Sequence, residues 1–202
     1  ARPLPVGVAR LYGGRDGFPI VDDRMAPDGR ERRFASAAAV VAALPKPVAD
    51  ILTMHRDRVF LAGGFASQCV LQDLLHQPGE QDIDLFVCGC CNKAEAALVL
   101  KSVVDTLKSG SAYDVDVFAT EAALTVRLPD SDDDDVYEDP NHRHATVVQV
   151  ILRLYGSPDE MLHGFDVQAA QVLVRLTPGG GAEAWSTASF LEAAAAGAVW
   201  AD

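Results

Sequence analysis

Val59-Phe-Leu-Ala-Gly-Gly-Phe65 and, further on, Asp82-Ile-Asp-Leu-Phe-Val87 are the two stretches whose reading decides the fold. The first runs four apolar residues without a polar break into a glycine pair, which predicts a buried strand ending in a tight turn. A helix is expected from Phe65 to His76, with Phe65, Cys69, Leu71, Leu74 and Leu75 on or near one face, until Pro78-Gly79 stops it. The second stretch alternates acid with apolar residues before turning wholly apolar. It predicts a strand whose beginning faces something polar. Asp82 and Asp84 are two residues apart, so both carboxylates project from one face, about 7 Å apart along the strand.

Outward from these stretches the chain reads as helices interleaved with strands. Ser36–Leu44 is helical in texture, Pro45 and Pro47 interrupt it, and Val48–His55 resumes it. Asn92 with Glu95 three residues on resembles a capping box for a helix carrying Ala97, Leu100, Val104 and Leu107 and ending at Gly110. Strands are expected at Tyr113–Phe118, Leu124–Leu128, Thr146–Tyr155 and Asp166–Leu176, the third of them central because it is long and β-branched. Ser157, Pro158 and Glu160 start a short helix that Gly164 ends. Pro178-Gly-Gly-Gly181 turns the chain, and Ser186 is placed to cap a last helix ending at Gly197. The expected class is α/β to α+β, a mixed sheet flanked by helices. Residues 1–33 are rich in Pro, Gly, Arg and Asp without a sustained period. The division expected is an extended N-terminal arm over 1–35 and one domain over 36–202.

Composition narrows the function. The 202 residues are 49% hydrophobic and 23% charged, the balance of one folded domain rather than a disordered chain. No apolar stretch reaches the roughly 18 residues of a membrane span, and the first twenty lack the apolar centre of a signal peptide. The net charge is −12, and it is uneven: residues 1–60 hold ten basic against seven acidic side chains, residues 61–202 seven against twenty-two. Such a surface repels a phosphate backbone, so nucleic acid is disfavoured as a partner except through the Arg-rich start. Three of the four cysteines, Cys88, Cys90 and Cys91, crowd together, which is no secreted disulfide framework. A cytoplasmic or other reducing compartment is expected.

Two features carry chemistry. Glycines at 63 and 64 let a backbone approach a ligand, the N–H groups of a helix start favour phosphate, and Ser67 could add a hydroxyl. The Asp82 and Asp84 carboxylates repel each other unless a hard divalent cation lies between them. Together they suit metal-assisted phosphoryl or nucleotidyl transfer. Taken singly, each has a plainer reading: a tight turn, and an exposed strand start. Elsewhere the plainer reading prevails. Cys88-Gly-Cys-Cys91 has no second cysteine pair to complete a zinc site, although His142 and His144 offer nitrogens. The Asp132–Asp135 run lacks EF-hand spacing and reads as a solvated loop. His163 is a helix-end residue, Trp185 and Trp200 are core or interface anchors, and no serine or cysteine triad has its motif context.

Leu61-Ala-Gly-Gly64, a helix, and Asp82-Ile-Asp-Leu-Phe86 resemble the glycine-pair and Asp-x-Asp motifs of the DNA polymerase beta superfamily of nucleotidyltransferases. Thr120-Glu-Ala-Ala-Leu-Thr125, Val148-Gln-Val-Ile151, Tyr155-Gly-Ser-Pro158 and Gly164-Phe-Asp166 look like a branch of it common in large DNA viruses and phages. The resemblance covers about residues 50–200. It implies a nucleoside triphosphate bordered by Gly63, Gly64 and Ser67. It also implies that Asp82 and Asp84 hold two Mg²⁺ (or Mn²⁺) ions, with a third carboxylate from Asp166; apart from the resemblance, its apolar flanks and strand order make Asp116 the competing third ligand. Two departures stand out: a long gap between Gly64 and Asp82, and Gln149 mid-strand where some relatives carry an acid. The expected activity is metal-dependent transfer of a nucleotidyl group to an unidentified acceptor. The alternative is a degenerate fold serving as an interaction or particle protein, its arm at 1–35 lying on a protein partner.

Overall fold

The computed structural model describes residues 8–10, 34–71, 82–111, 115–129 and 145–195. Its strands are β1 (Val8–Arg10), β2 (Val59–Ala62), β3 (Ile83–Cys88), β4 (Asp116–Ala119), β5 (Ala123–Pro129), β6 (Ala145–Tyr155), β7 (Val172–Leu176) and β8 (Ala182–Thr187). Its helices are α1 (Ala37–Ala43), α2 (Lys46–Met54), α3 (Gly64–Val70), α4 (Lys93–Ser109), α5 (Pro158–Leu162) and α6 (Ala188–Ala195). The strands make one sheet in the order β1-β8-β7-β2-β3-β6-β5-β4. Every pairing is antiparallel except β3 with β6. The mixed sheet flanked by helices is therefore the architecture expected from sequence.

Alternation along the strands sorts the side chains onto two faces. Val59, Leu61, Ile83, Leu85, Val87, Val148, Val150, Val172 and Val174 turn to one side. There they meet Val40 of α1, Ile51 and Leu52 of α2, Cys69 of α3, Val103 and Leu107 of α4 and Phe190 of α6. Phe60, Ala62, Phe86, Cys88, Tyr155 and Leu173 turn to the other side and meet Met161 and Leu162 of α5. Asp82 and Asp84 share the parity of Phe86, so they sit on this second, thinly covered face.

Local signals set the helix starts. Ser36 accepts from the Ala39 N–H at 3.0 Å, Asn92 from Glu95 at 2.9 Å and Ser157 from Glu160 at 3.1 Å, each satisfying a donor with no intrahelical partner. Pro47 does not interrupt α2 but lies in its first turn, where no N–H is needed. Tertiary pairing overrides the sequence reading in three places. First, α3 ends at Val70 instead of His76, because Leu71 extends to bridge Phe34 and the Ala35 N–H donates to Val70 O at 2.8 Å. Second, residues 166–171 are a bend and a short 3₁₀ turn (Gln168–Ala170), and the strand begins only at Val172. Third, Ala182–Thr187 is a strand; Ser186 is buried within it, and Thr187 Oγ1 caps α6 by accepting from the Phe190 N–H at 3.1 Å.

Within the segment expected as an arm, β1 adds an edge strand to the sheet, with Val8 opposite Thr187 and Arg10 opposite Trp185. The acidic run at 130–139, His142, His144 and Trp200 lie outside the described residues. Among the described residues no helix is long and apolar enough to cross a membrane.

Candidate functional site

β2 and β3 run antiparallel with Ala62 opposite Asp84, so the glycine turn and the carboxylates meet at one end of the strand pair. Gly63 takes φ +86°, ψ −156°, backbone that favours glycine. Space demands glycine as well: a Cβ at residue 63 would stand 3.0 Å from Asp84 Oδ2 and 3.8 Å from the Phe165 ring. The turn therefore lies directly against the half-buried Asp84 carboxylate. Burial first, and the Asp82 charge second, push that carboxyl up from 3.8 to about 6.

Asp82 sits at the exposed start of the same strand face. Its Oδ2 accepts a hydrogen bond from Gln149 Nε2. Gln149 belongs to β6, the parallel neighbour of β3, where it is the register partner of Asp84. Its amide thus occupies the place on the adjoining strand from which a further side chain could join the two carboxylates.

The other expected site residues are distributed differently. Gly64 opens α3, a helix of only seven residues. Ser67 is 1% exposed and its hydroxyl points inward, within reach of the carbonyls of Gly63 at 3.1 Å and of Ala169. That hydroxyl holds the turn at Gly63 and the 3₁₀ turn together. Asp166 lies on an exposed bend rather than on a strand. Asp116 shares the open face but stands on edge strand β4, three strands from β3, about 14 Å at the usual strand spacing. It lies beyond reach of a cation held by Asp82, because the strand that follows α4 in sequence is not β3's neighbour in space.

Two contributors were not assigned to the site from the sequence. Phe165 lies over the site, its ring 5.3 Å from that of Phe86 and its carbonyl accepting from Gln171 Nε2 at 3.0 Å. In Gly164-Phe-Asp166 the aromatic residue, not the acid, borders Gly63. The second is the amide of Gln149, whose sequence signal was its departure from an acid in an otherwise apolar strand.

Among the described residues no three His, Cys, Asp or Glu side chains converge as a metal site. Cys88 is buried, with its S–H toward Met161 Sδ at 4.0 Å, and burial pushes its thiol up to about 12. Arg58 and Glu95 fix the turn that follows: Arg58 donates to Gly89 O and pairs with Glu95 at 2.8 Å, and Glu95 accepts from the Cys91 N–H at 2.6 Å. This turn is held by these side-chain bonds.

Two carboxylates on one face, one of them raised first by its burial and second by its neighbour's charge, do fit a single hard cation. Mg²⁺ is commonly bound by one or two carboxylates, with substrate phosphates and water completing its shell.

A model of the Gad2 family, described as Gabija anti-defense 2 family protein, matches residues 36–178. No curated protein matches this chain in sequence. Among solved structures, the apo form of a CCA-adding enzyme superposes with a TM-score of 0.46 at 15% identity. The superposition covers 80% of this chain and 35% of that enzyme, so the chain spans about a third of the enzyme's length.

Proposed function

This chain belongs to the Gabija anti-defense 2 family, and from that premise we propose that it counters the Gabija defence by transferring a nucleotidyl group from a nucleoside triphosphate to an acceptor. One observation carries the reading. The left-handed glycine turn at Gly63 lies against a half-buried aspartate that, with Asp82, forms a like-charge pair on the open face of the sheet. A fold gains no stability from such a pair, since burial and mutual repulsion both work against ionisation. Its presence is explained by a ligand that brings positive charge.

In the reaction an acceptor hydroxyl oxygen forms a bond to the α-phosphorus, the bond from that phosphorus to pyrophosphate breaks, and the hydroxyl proton passes to solvent. Asp82 and Asp84 would hold one Mg²⁺, which when bound supplies charge neutralisation at the phosphates. Gly63, lacking a Cβ, lets the turn lie directly against Asp84, so that its backbone borders the carboxylates beside which a triphosphate would be held. Gln149 orients Asp82, and the Phe165 ring borders the Gly63 turn.

The test uses the full chain with Mg²⁺ and each α-labelled nucleoside triphosphate, offered RNA and the Gabija proteins as acceptors. Label is expected on one acceptor class and absent with Asp82→Ala/Asp84→Ala. The same double variant should lose protection of a phage plated on Gabija-carrying cells. Full protection by a correctly folded double variant would sink the transferase reading.

A second reading has its own observation. Gln149 faces Asp82 with an N–H donor where a catalytic set would be strengthened by another oxygen. This favours a member of the fold that acts by binding. In that case the double variant protects the phage as well as the parent does, and the chain co-purifies with a Gabija component.

A further inference from the structure

The pairing of β3 with β6 places two constraints on one cluster. Asp84 and Gln149 are register partners, so no other residue of β6 stands nearer to the Asp84 backbone. From that position Gln149 reaches along the strand and donates Nε2–H to Asp82 Oδ2. One of the four oxygens of the carboxylate pair is thereby committed to an amide proton. Asp116 is held three strands away on β4, and among the described residues no third acid joins the pair.

Resting on the transferase reading above, we propose that Gln149 is a positioning residue that sets the cation count of this site to one. Its amide fixes the Asp82 carboxylate in one orientation and takes up the coordination space in which a second cation would need an anionic oxygen. Loss of a group that orients a metal ligand by hydrogen bonding commonly costs about 10–100-fold in metal affinity. The length of Gln149 matters too: a glutamate there would keep the reach and replace the N–H donor with an oxygen, changing the ligand set without moving the backbone.

The experiment counts Mn²⁺ bound to the full chain by electron paramagnetic resonance, in the presence of a non-hydrolysable ATP analogue. Wild type, Gln149→Glu and Gln149→Met are compared after circular dichroism has shown equal folding. Gln149→Glu is expected to bind one Mn²⁺ more per chain than wild type. Gln149→Met, which keeps the length but not the amide, is expected to bind no additional ion and to weaken the existing one about tenfold. Equal counts in wild type and Gln149→Glu would overturn the proposal, as would two ions in wild type. Label transfer by wild type judges the transferase reading separately. A wild type that binds one Mn²⁺ and transfers nothing defeats that reading and leaves the role of Gln149 standing.

Discussion

The two faces of the sheet are built from alternate residues of the same strands, yet they obey different rules. On the covered face, Leu61, Leu85, Val148 and Val174 meet helices from both halves of the chain in a predominantly apolar interior, with Ser186 buried among them. On the opposite face α5 packs only part of the surface, against Phe60, Phe86 and Tyr155. Asp82, Asp84 and Gln149 occupy this face, and farther out on β4 Phe118 is 52% exposed with the Arg127 guanidinium 5.5 Å from its ring. One face maximises the burial that drives folding; the other leaves room and keeps charge. The lesson is that this chain concentrates its stability on one side of the sheet and its chemistry on the other.

That contrast can be broken most severely from the covered side. Phe190→Ala removes a ring with no exposed surface and is expected to cost about 3–5 kcal/mol in urea unfolding. A loss under about 1 kcal/mol would mean that α6 adds little to the core. Next in size, Gly63→Ala should cost about 2 kcal/mol, because the new Cβ meets Asp84 Oδ2 in a backbone region that L-residues avoid. Nucleotide binding by calorimetry should fall with it, whereas a core alanine of equal cost leaves binding intact when the chain is folded.

On the open face the expected sign reverses. Asp84→Asn should stabilise the protein at pH 7, by about 1 kcal/mol once partial exposure of the carboxyl is allowed for. The folded chain raises this group from 3.8 to about 6. Between those values the native state holds more protons than the unfolded one. The Asp84 contribution to stability is thus fully present below about pH 3.8 and is lost as pH rises through about 6. The advantage of the asparagine variant should therefore shrink and vanish as the urea midpoint is followed from pH 7 down to pH 3.5. A constant advantage across that range would remove the charge from the explanation. The smallest effect belongs to the sheet edge: Phe118→Ser should shift stability by about 0.5 kcal/mol or less in thermal unfolding.

Much of this architecture was legible from local signals. A strand, a glycine pair and an Asp-x-Asp strand could be read because each depends on contiguous residues: an apolar run, a positive φ, a period of two. The caps at Asn92 and Ser157 were legible for the same reason. The strand Ala182–Thr187 was missed because Ala-Glu-Ala-Trp carries little β-branched character, and β8 forms by lying between β7 and β1. The early end of α3 was equally hidden, since it depends on the long-range partner Phe34.

The candidate site divides in the same way. Adjacent residues sufficed to bring Asp82 and Asp84 to one face and to mark Gly63 as a turn, because backbone geometry alone dictates both. Which third residue joins them could not be decided by sequence distance. Strand order carries Asp116 to the far edge, an irregular turn leaves Asp166 off the sheet, and the parallel pairing of β3 with β6 brings Gln149 to Asp82. The sequence by itself determined the elements and the charged pair, since those are local properties of the chain. The neighbours of that pair were decided by tertiary structure alone, since they depend on which strands hydrogen-bond side by side.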